Sequence, residues 1–206
     1  MNKPALPLLL IATLLLSACG DRPAGSSPAP EMGPESTGAA ADGPLSGEEV
    51  VGAWIAAATG DADTVKSALK RGLDVDGKDP NSGGTILIGA AFAGQTQIVK
   101  LLLGKEPDIE ARNKEGGTAL FNAAFFCRTE TLEALIEAGA DVNARDKTGA
   151  TALDAATAPW TKELAGVYKF IGDILKMEFD LDRVQRTRPK IAEILEKHGG
   201  KKAADL

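Results

Sequence analysis

The chain has 206 residues, with 23 Lys and Arg against 29 Asp and Glu, one His, two Cys and a net charge of −6. An acidic chain of this kind lacks the clustered cations that nucleic acid or an anionic lipid surface demands, which excludes both as principal partners. No convergent set of His, Cys and carboxylates is visible, so no metal, cofactor or small-molecule substrate is expected.

The first element is a targeting segment. Lys3 precedes an apolar run from Leu8 to Leu16, too short to span a bilayer. The run ends in Leu16-Ser17-Ala18-Cys19, which resembles the lipobox of bacterial lipoproteins. The resemblance implies that residues 1–18 are a signal peptide cut before Cys19, and that Cys19 carries the lipid. Three acyl chains, the complement in that family, anchor stably where a single chain binds only marginally. Gly20, and not aspartate, follows the cysteine, which in that family implies the outer membrane with the domain facing the periplasm. The alternative is an ordinary secretory signal with a chance cysteine.

Residues 19–47 read as a disordered tether. Pro23, Pro28, Pro30, Pro34 and Pro44 alternate with Gly, Ser and Ala, and no apolar period appears. A flexible stretch of this length has a root-mean-square span of roughly 30 Å. Beyond it Cys127 is the one remaining cysteine, so an exported domain has no internal disulfide and depends on packing.

From residue 48 onward the chain repeats. Thr85-Ile86-Leu87, Thr118-Ala119-Leu120 and Thr151-Ala152-Leu153 open equivalent segments 33 residues apart, each after a small pair (Gly83-Gly84, Gly116-Gly117, Gly149-Ala150). A fixed period of this size means stacked supersecondary units. The clearest copy continues with Ala123-Ala124, then Leu132, Leu135 and Ile136, and closes on Ala138-Gly139-Ala140-Asp141-Val142-Asn143.

This pattern resembles the ankyrin repeat, and the resemblance implies an all-α solenoid of about four helix-turn-helix repeats. Their approximate bounds are 48–79, 80–115, 116–148 and 149–200 within a domain at 48–206. The chemistry agrees: threonine caps a helix start, alanines permit close helix approach, and leucines at helical spacing face a core. The openers depart from the family's Thr-Pro-Leu-His. Ile88, Phe121 and Asp154 stand where histidine is usual, which predicts looser ties between adjacent loops. Trp54 holds that position in the first copy and is expected to seal the core. Glu106 replaces a capping glycine, predicting a less regular helix end.

The fourth copy is interrupted. Gly139 and Gly199 stand 60 residues apart, an excess of 27 over the period, which places an insertion at about 158–187. Val167, Ile171, Ile174, Leu175 and Phe179 have helical spacing, and Arg183 to Arg188 reads as a basic return loop before a closing helix at Ile191–Lys197. The insert either caps the open end of the solenoid or projects as a second recognition element.

Catalysis has little to stand on, and no enzyme is expected. His198 closes the last helix and Cys127 lies two repeats away, replacing an inter-helix glycine; a structural thiol is the favoured reading. Asp74, Asp76 and Asp79 lack the calcium-loop pattern. The resemblance implies instead that loop tips and inner-helix ends contact a protein partner. The matching positions are Lys114, Glu115, Lys147 and Thr148 on loops, and Phe92, Phe125 and Phe126 after the alanine pairs. Exposed aromatics there resemble interface hot spots, whereas inward-facing ones are repeat packing. The expected role is a lipid-anchored periplasmic scaffold or accessory factor. The alternative is an immunity protein against a periplasm-delivered toxin such as a lipase or cell-wall hydrolase. Replacing Cys19 by serine is expected to release the protein from the membrane fraction; unchanged fractionation would sink the lipid anchor.

Overall fold

A computed structural model describes residues 45–175 and 178–206. The signal peptide, Cys19 and nearly all of the tether lie outside the described residues.

Four helical hairpins stack in a row. The inner helices are α1 (Gly47–Thr59), α3 (Ile86–Ala93), α5 (Ala119–Phe125) and α7 (Ala152–Thr157). The outer helices are α2 (Ala62–Lys70), α4 (Thr96–Leu103), α6 (Thr129–Glu137) and the long α9 (Leu181–Lys197). The extra helix α8 (Lys162–Leu175) stands between α7 and α9, and a short 3-10 turn at Ala203–Asp205 follows. Inner helix packs on inner helix and outer on outer along the row. The described residues contain no strand, only isolated bridges at Lys78–Thr85 and Arg145–Thr151. The all-α repeat solenoid read from the period is the fold.

The threonine openers cap as their spacing predicts. The N–H groups of Ile88, Phe121 and Asp154 donate to the hydroxyls of Thr85, Thr118 and Thr151 at 3.4, 3.2 and 3.2 Å. All three threonines are buried, as are the alanine pairs Ala90-Ala91, Ala123-Ala124 and Ala155-Ala156. The first helix starts slightly before the expected boundary. Ser46 and Glu49 form a reciprocal capping box, and the Glu49 carboxylate also holds Arg71 at 2.5 and 3.1 Å. That guanidinium, with the Ser46 backbone N–H, lowers the Glu49 pKa to about 2.

The loops are not loosened by the missing histidines. Lys114 N–H donates to Ser82 O at 2.8 Å, and Lys147 N–H to Glu115 O at 2.9 Å. Side chains add a second ladder: Asp108 N–H to Asp76 Oδ1 (2.8 Å), Asp141 N–H to Glu110 Oε1 (2.7 Å), Lys201 N–H to Asn143 Oδ1 (2.7 Å). Asp154, in a histidine position, accepts the N–H of Thr151 and of Ala203 and so ties the C-terminal tail to the last repeat. Burial would raise its pKa, but these hydrogen bonds outweigh burial and hold the carboxyl below its ordinary value.

The insert differs from expectation in two respects. Arg183 to Arg188 is not a return loop: α9 runs unbroken from Leu181, and the basic stretch forms its first turns. Pro189 lies inside that helix, where it offers no N–H to the carbonyl of Gln185. The insert also does not project as a separate element: it packs onto the ends of the inner helices, burying Leu164, Val167, Tyr168 and Ile171.

Among the described residues, two non-glycine positions hold left-handed backbone. Glu106 (φ 53°) stands in register with Gly72, Gly139 and Gly199, and Cys127 (φ 54°) in register with Gly60 and Gly94. The helix end at Glu106 therefore keeps the family turn with a residue that pays for it sterically. Left-handed backbone costs a side chain about 1–2 kcal/mol, and the entropy of a new glycine returns up to about 1 kcal/mol of that. Glu106 is exposed, so Glu106→Gly is expected to raise the unfolding free energy by about 0.5–1 kcal/mol in urea titration.

Candidate functional site

Two surfaces compete for the role of binding site: the loop row and the C-terminal ends of the inner helices. The loop row carries Lys114, Lys147 and Thr148 exposed, and Glu115 half-buried. Each loop is braced by its own asparagine or aspartate. Asn113 Oδ1 accepts from Glu115 N–H (3.0 Å) and Gly117 N–H (2.9 Å), and Asp146 Oδ1 accepts from Thr148 N–H (2.8 Å) and Ala150 N–H (2.9 Å). Gly116 is required here: at φ 80° a Cβ would stand 2.7 Å from the backbone nitrogen of Lys147 in the next loop. The side chains at 114 and 147 are thus displayed from rigid, registered backbone. Between loops and inner helix, Asn113, Glu115, Asn122, Phe125 and Asp146 help line a cavity of about 30 Å³, room for one water.

The aromatic residues behave otherwise. Phe125 is 2 % and Phe126 3 % exposed, and Phe92 is half-buried. The expectation that Phe125 and Phe126 offer a partner surface is corrected: neither is reachable. The cause is the insert. Tyr168 stacks on Phe125 with ring centroids 5.1 Å apart and meets Phe126 edge-on at 5.9 Å. Phe179 stacks on Phe126 at 5.6 Å and meets Phe92 edge-on at 6.5 Å. Adjacent residues at the end of α5 therefore both find cover, because two separate elements approach from outside the repeat.

Polar groups complete this cover. Tyr168 Oη donates to Phe125 O, and burial pushes its pKa upward. Arg128 Nε donates to Phe92 O at 3.0 Å, and its guanidinium lies 5.9 Å from the Phe179 ring. Arg188, 5 % exposed, donates from Nη2 to Ala158 O at 2.6 Å and lies 5.8 Å from the Trp160 ring. Beside it, Trp160, Gln185, Pro189 and Glu193 help line an open groove of about 430 Å³.

The two chemistry-bearing side chains are held apart. Cys127 is 3 % exposed, its Sγ lying 3.6 Å from Val184 O near the start of α9. His198 caps the other end of that helix, 14 residues on or about 21 Å by helical rise. Burial raises the Cys127 pKa to about 11, only partly offset by Arg188, Arg183 and Arg128, so the thiol stays protonated at neutral pH. Trp54 is half-buried, and its ring lies 3.9 Å from where a Cβ on Gly89 would stand. It seals the first repeat against the second. The aspartates near residue 76 serve the loops, and no group of three or more His, Cys, Asp or Glu suited to a metal occurs among the described residues. The arginines that support the aromatic cover are what sequence reading missed; their basic run was visible but had no assigned place.

Comparison with known proteins finds a family match. Residues 53–146 fit the family model of ankyrin repeats, in three copies. The match ends before the fourth hairpin, where the insert begins. No curated protein matches the chain.

Phe126→Ala is expected to lower the unfolding free energy by about 3–5 kcal/mol, the range for truncating a buried phenylalanine. Lys147→Ala, at an exposed loop tip, is expected within about 0.5 kcal/mol of wild type. Urea denaturation of the two variants compares core with display surface directly.

Proposed function

We propose that this ankyrin-repeat solenoid is a lipid-anchored scaffold or accessory protein of the bacterial envelope, facing the periplasm and binding a protein partner through its loop row. The repeats are of a kind that mediates protein–protein interaction. The observation that carries the choice of surface is the contrast in exposure. Lys114, Lys147 and Thr148 are exposed on braced loops, Lys114 Nζ donating to Pro80 O at 2.8 Å and Thr148 Oγ1 to Asp146 Oδ1 at 2.6 Å, while Phe125 and Phe126 are sealed beneath the insert. Rigid display lowers the entropy lost on association.

The anchor rests on Leu16-Ser17-Ala18-Cys19 and on the proline-rich stretch after it. A tether of that length lets the domain reach a partner without fixing its orientation. The chain acts by holding, and no step of chemistry is assigned to it.

The test is photo-crosslinking in cells that make the full chain, with benzoylphenylalanine placed at position 114, at 147, or at Glu133 on the outer helix α6. A discrete adduct from 114 and 147 and none from 133 is the expected result. Adducts from 133 alone would move the site to the outer face. A secreted lipase or cell-wall hydrolase in the loop adduct would turn the scaffold into an immunity protein.

A further inference from the structure

Arg128 and Arg183 meet at the turn between inner and outer helix of the third repeat, Arg186 follows one turn along α9, and among the described residues no carboxylate forms an ion pair with them. The contact between Cys127 Sγ and Val184 O, 3.6 Å, sets the neighbours Arg128 and Arg183 on either side of one junction. Arg128 uses only Nε for a hydrogen bond, to Phe92 O. Arg183 and Arg186 are exposed and one turn apart on α9, and Lys190 continues along the same helix. Among the described residues the salt bridges join Lys66 to Asp63 and Arg71 to Glu49, so none of these cations has an acidic partner.

The arrangement opposes folding on three counts. Arg183 lies in the first turn of α9, where the helix dipole disfavours a cation. Arg128 is partly buried, and burial together with the charge of Arg183 lowers its pKa. Asp180 and Asp182 begin the helix but make no ion pair with these arginines, and the run from Arg183 to Lys190 then holds four cations and no acid in a chain of net charge −6. Like charges crowded together and only partly offset by Asp180 and Asp182 are destabilising, and an anion brought from outside reduces that repulsion.

We propose that Arg128, Arg183 and Arg186 form a second docking surface, for an acidic segment of a protein. Guanidinium forks pair with carboxylates through two parallel hydrogen bonds, which selects carboxylate over a simple point charge. Side chains one helical turn apart stand about 5–6 Å from each other, close to the roughly 6.6 Å between alternate side chains of an extended peptide. A flat anionic bilayer suits the surface less, since the rest of an acidic chain is repelled as the patch approaches. The surface lies at the opposite ends of the inner helices from Lys114 and Lys147 and stands without the loop-row reading.

The test uses the full chain carrying Cys19→Ser, so that no acyl anchor contributes, and a fluorescein-labelled hexaglutamate peptide followed by anisotropy. Binding that weakens with added salt is expected, with a loss of about tenfold or more in Arg183→Glu/Arg186→Glu. Lys70→Glu/Lys105→Glu, at exposed positions outside both surfaces, changes the net charge equally and is expected to bind as the parent does. Both pairs are exposed, and circular dichroism checks their fold. The proposal is overturned if the parent fails to bind, if the arginine variant stays within about twofold, or if the lysine variant loses as much. Tighter binding to phosphatidylglycerol vesicles than to the peptide also overturns it, and reassigns the arginines to a lipid headgroup.

Discussion

The carbonyl at the end of each inner helix governs how this stack holds together. A helix leaves its last carbonyls without partners, and in a packed turn water cannot supply them. Here Ala58, Phe92, Phe125 and Ala158 carry those carbonyls, at spacings of 34, 33 and 33. Each accepts from a long polar side chain further along the chain: Gln95, Arg128, Tyr168 and Arg188 in turn. In a solenoid each unit touches only its neighbours; the first three of these bonds tie one hairpin to the next at the end away from the loops, and the Arg188 bond closes the fourth hairpin on itself.

The ladder also accounts for the insert. Thr161 stands in register with Gln95 and Arg128, but its short side chain does not reach back. Its hydroxyl instead accepts from Leu164 N–H at 3.2 Å and starts α8. Tyr168, two turns later, then supplies the donor for Phe125 O and lays its ring over Phe125. The interruption of the period thus preserves the interaction that the period carries elsewhere. Arg188 repeats the solution at Ala158 O from the early part of α9.

Two kinds of exposure result. At the loops, backbone bonds from one repeat to the next keep Lys114 and Lys147 in register while leaving their side chains outward. At the other end, aromatic cover closes over Phe125 and Phe126, and the cations that frame it form no ion pair among the described residues. A repeat domain usually offers one continuous face; this one separates an open loop row from a sealed, positively framed end. Both features follow from where the insert lies against the stack.

The repeat period, the capping threonines, the alanine pairs and the leucine faces were legible in the sequence, because each depends on residues within one turn of helix or one hairpin. The left-handed positions at Glu106 and Cys127 were legible in the same way, as non-glycine residues in a glycine register. The direction of Phe125 and Phe126 was not. Adjacent helix residues cannot both face their own core, so their burial required cover from Tyr168 and Phe179, some 40 to 50 residues away. The helical state of Arg183 to Arg188 was hidden too, since Pro189 and a dense run of charge read locally as a loop. Sequence alone determined the hairpin and its repetition, which are local matters of spacing and capping. Only the tertiary structure decided which ends of the hairpins remain open, because burial depends on what returns to a surface and not on what lies beside it in the chain.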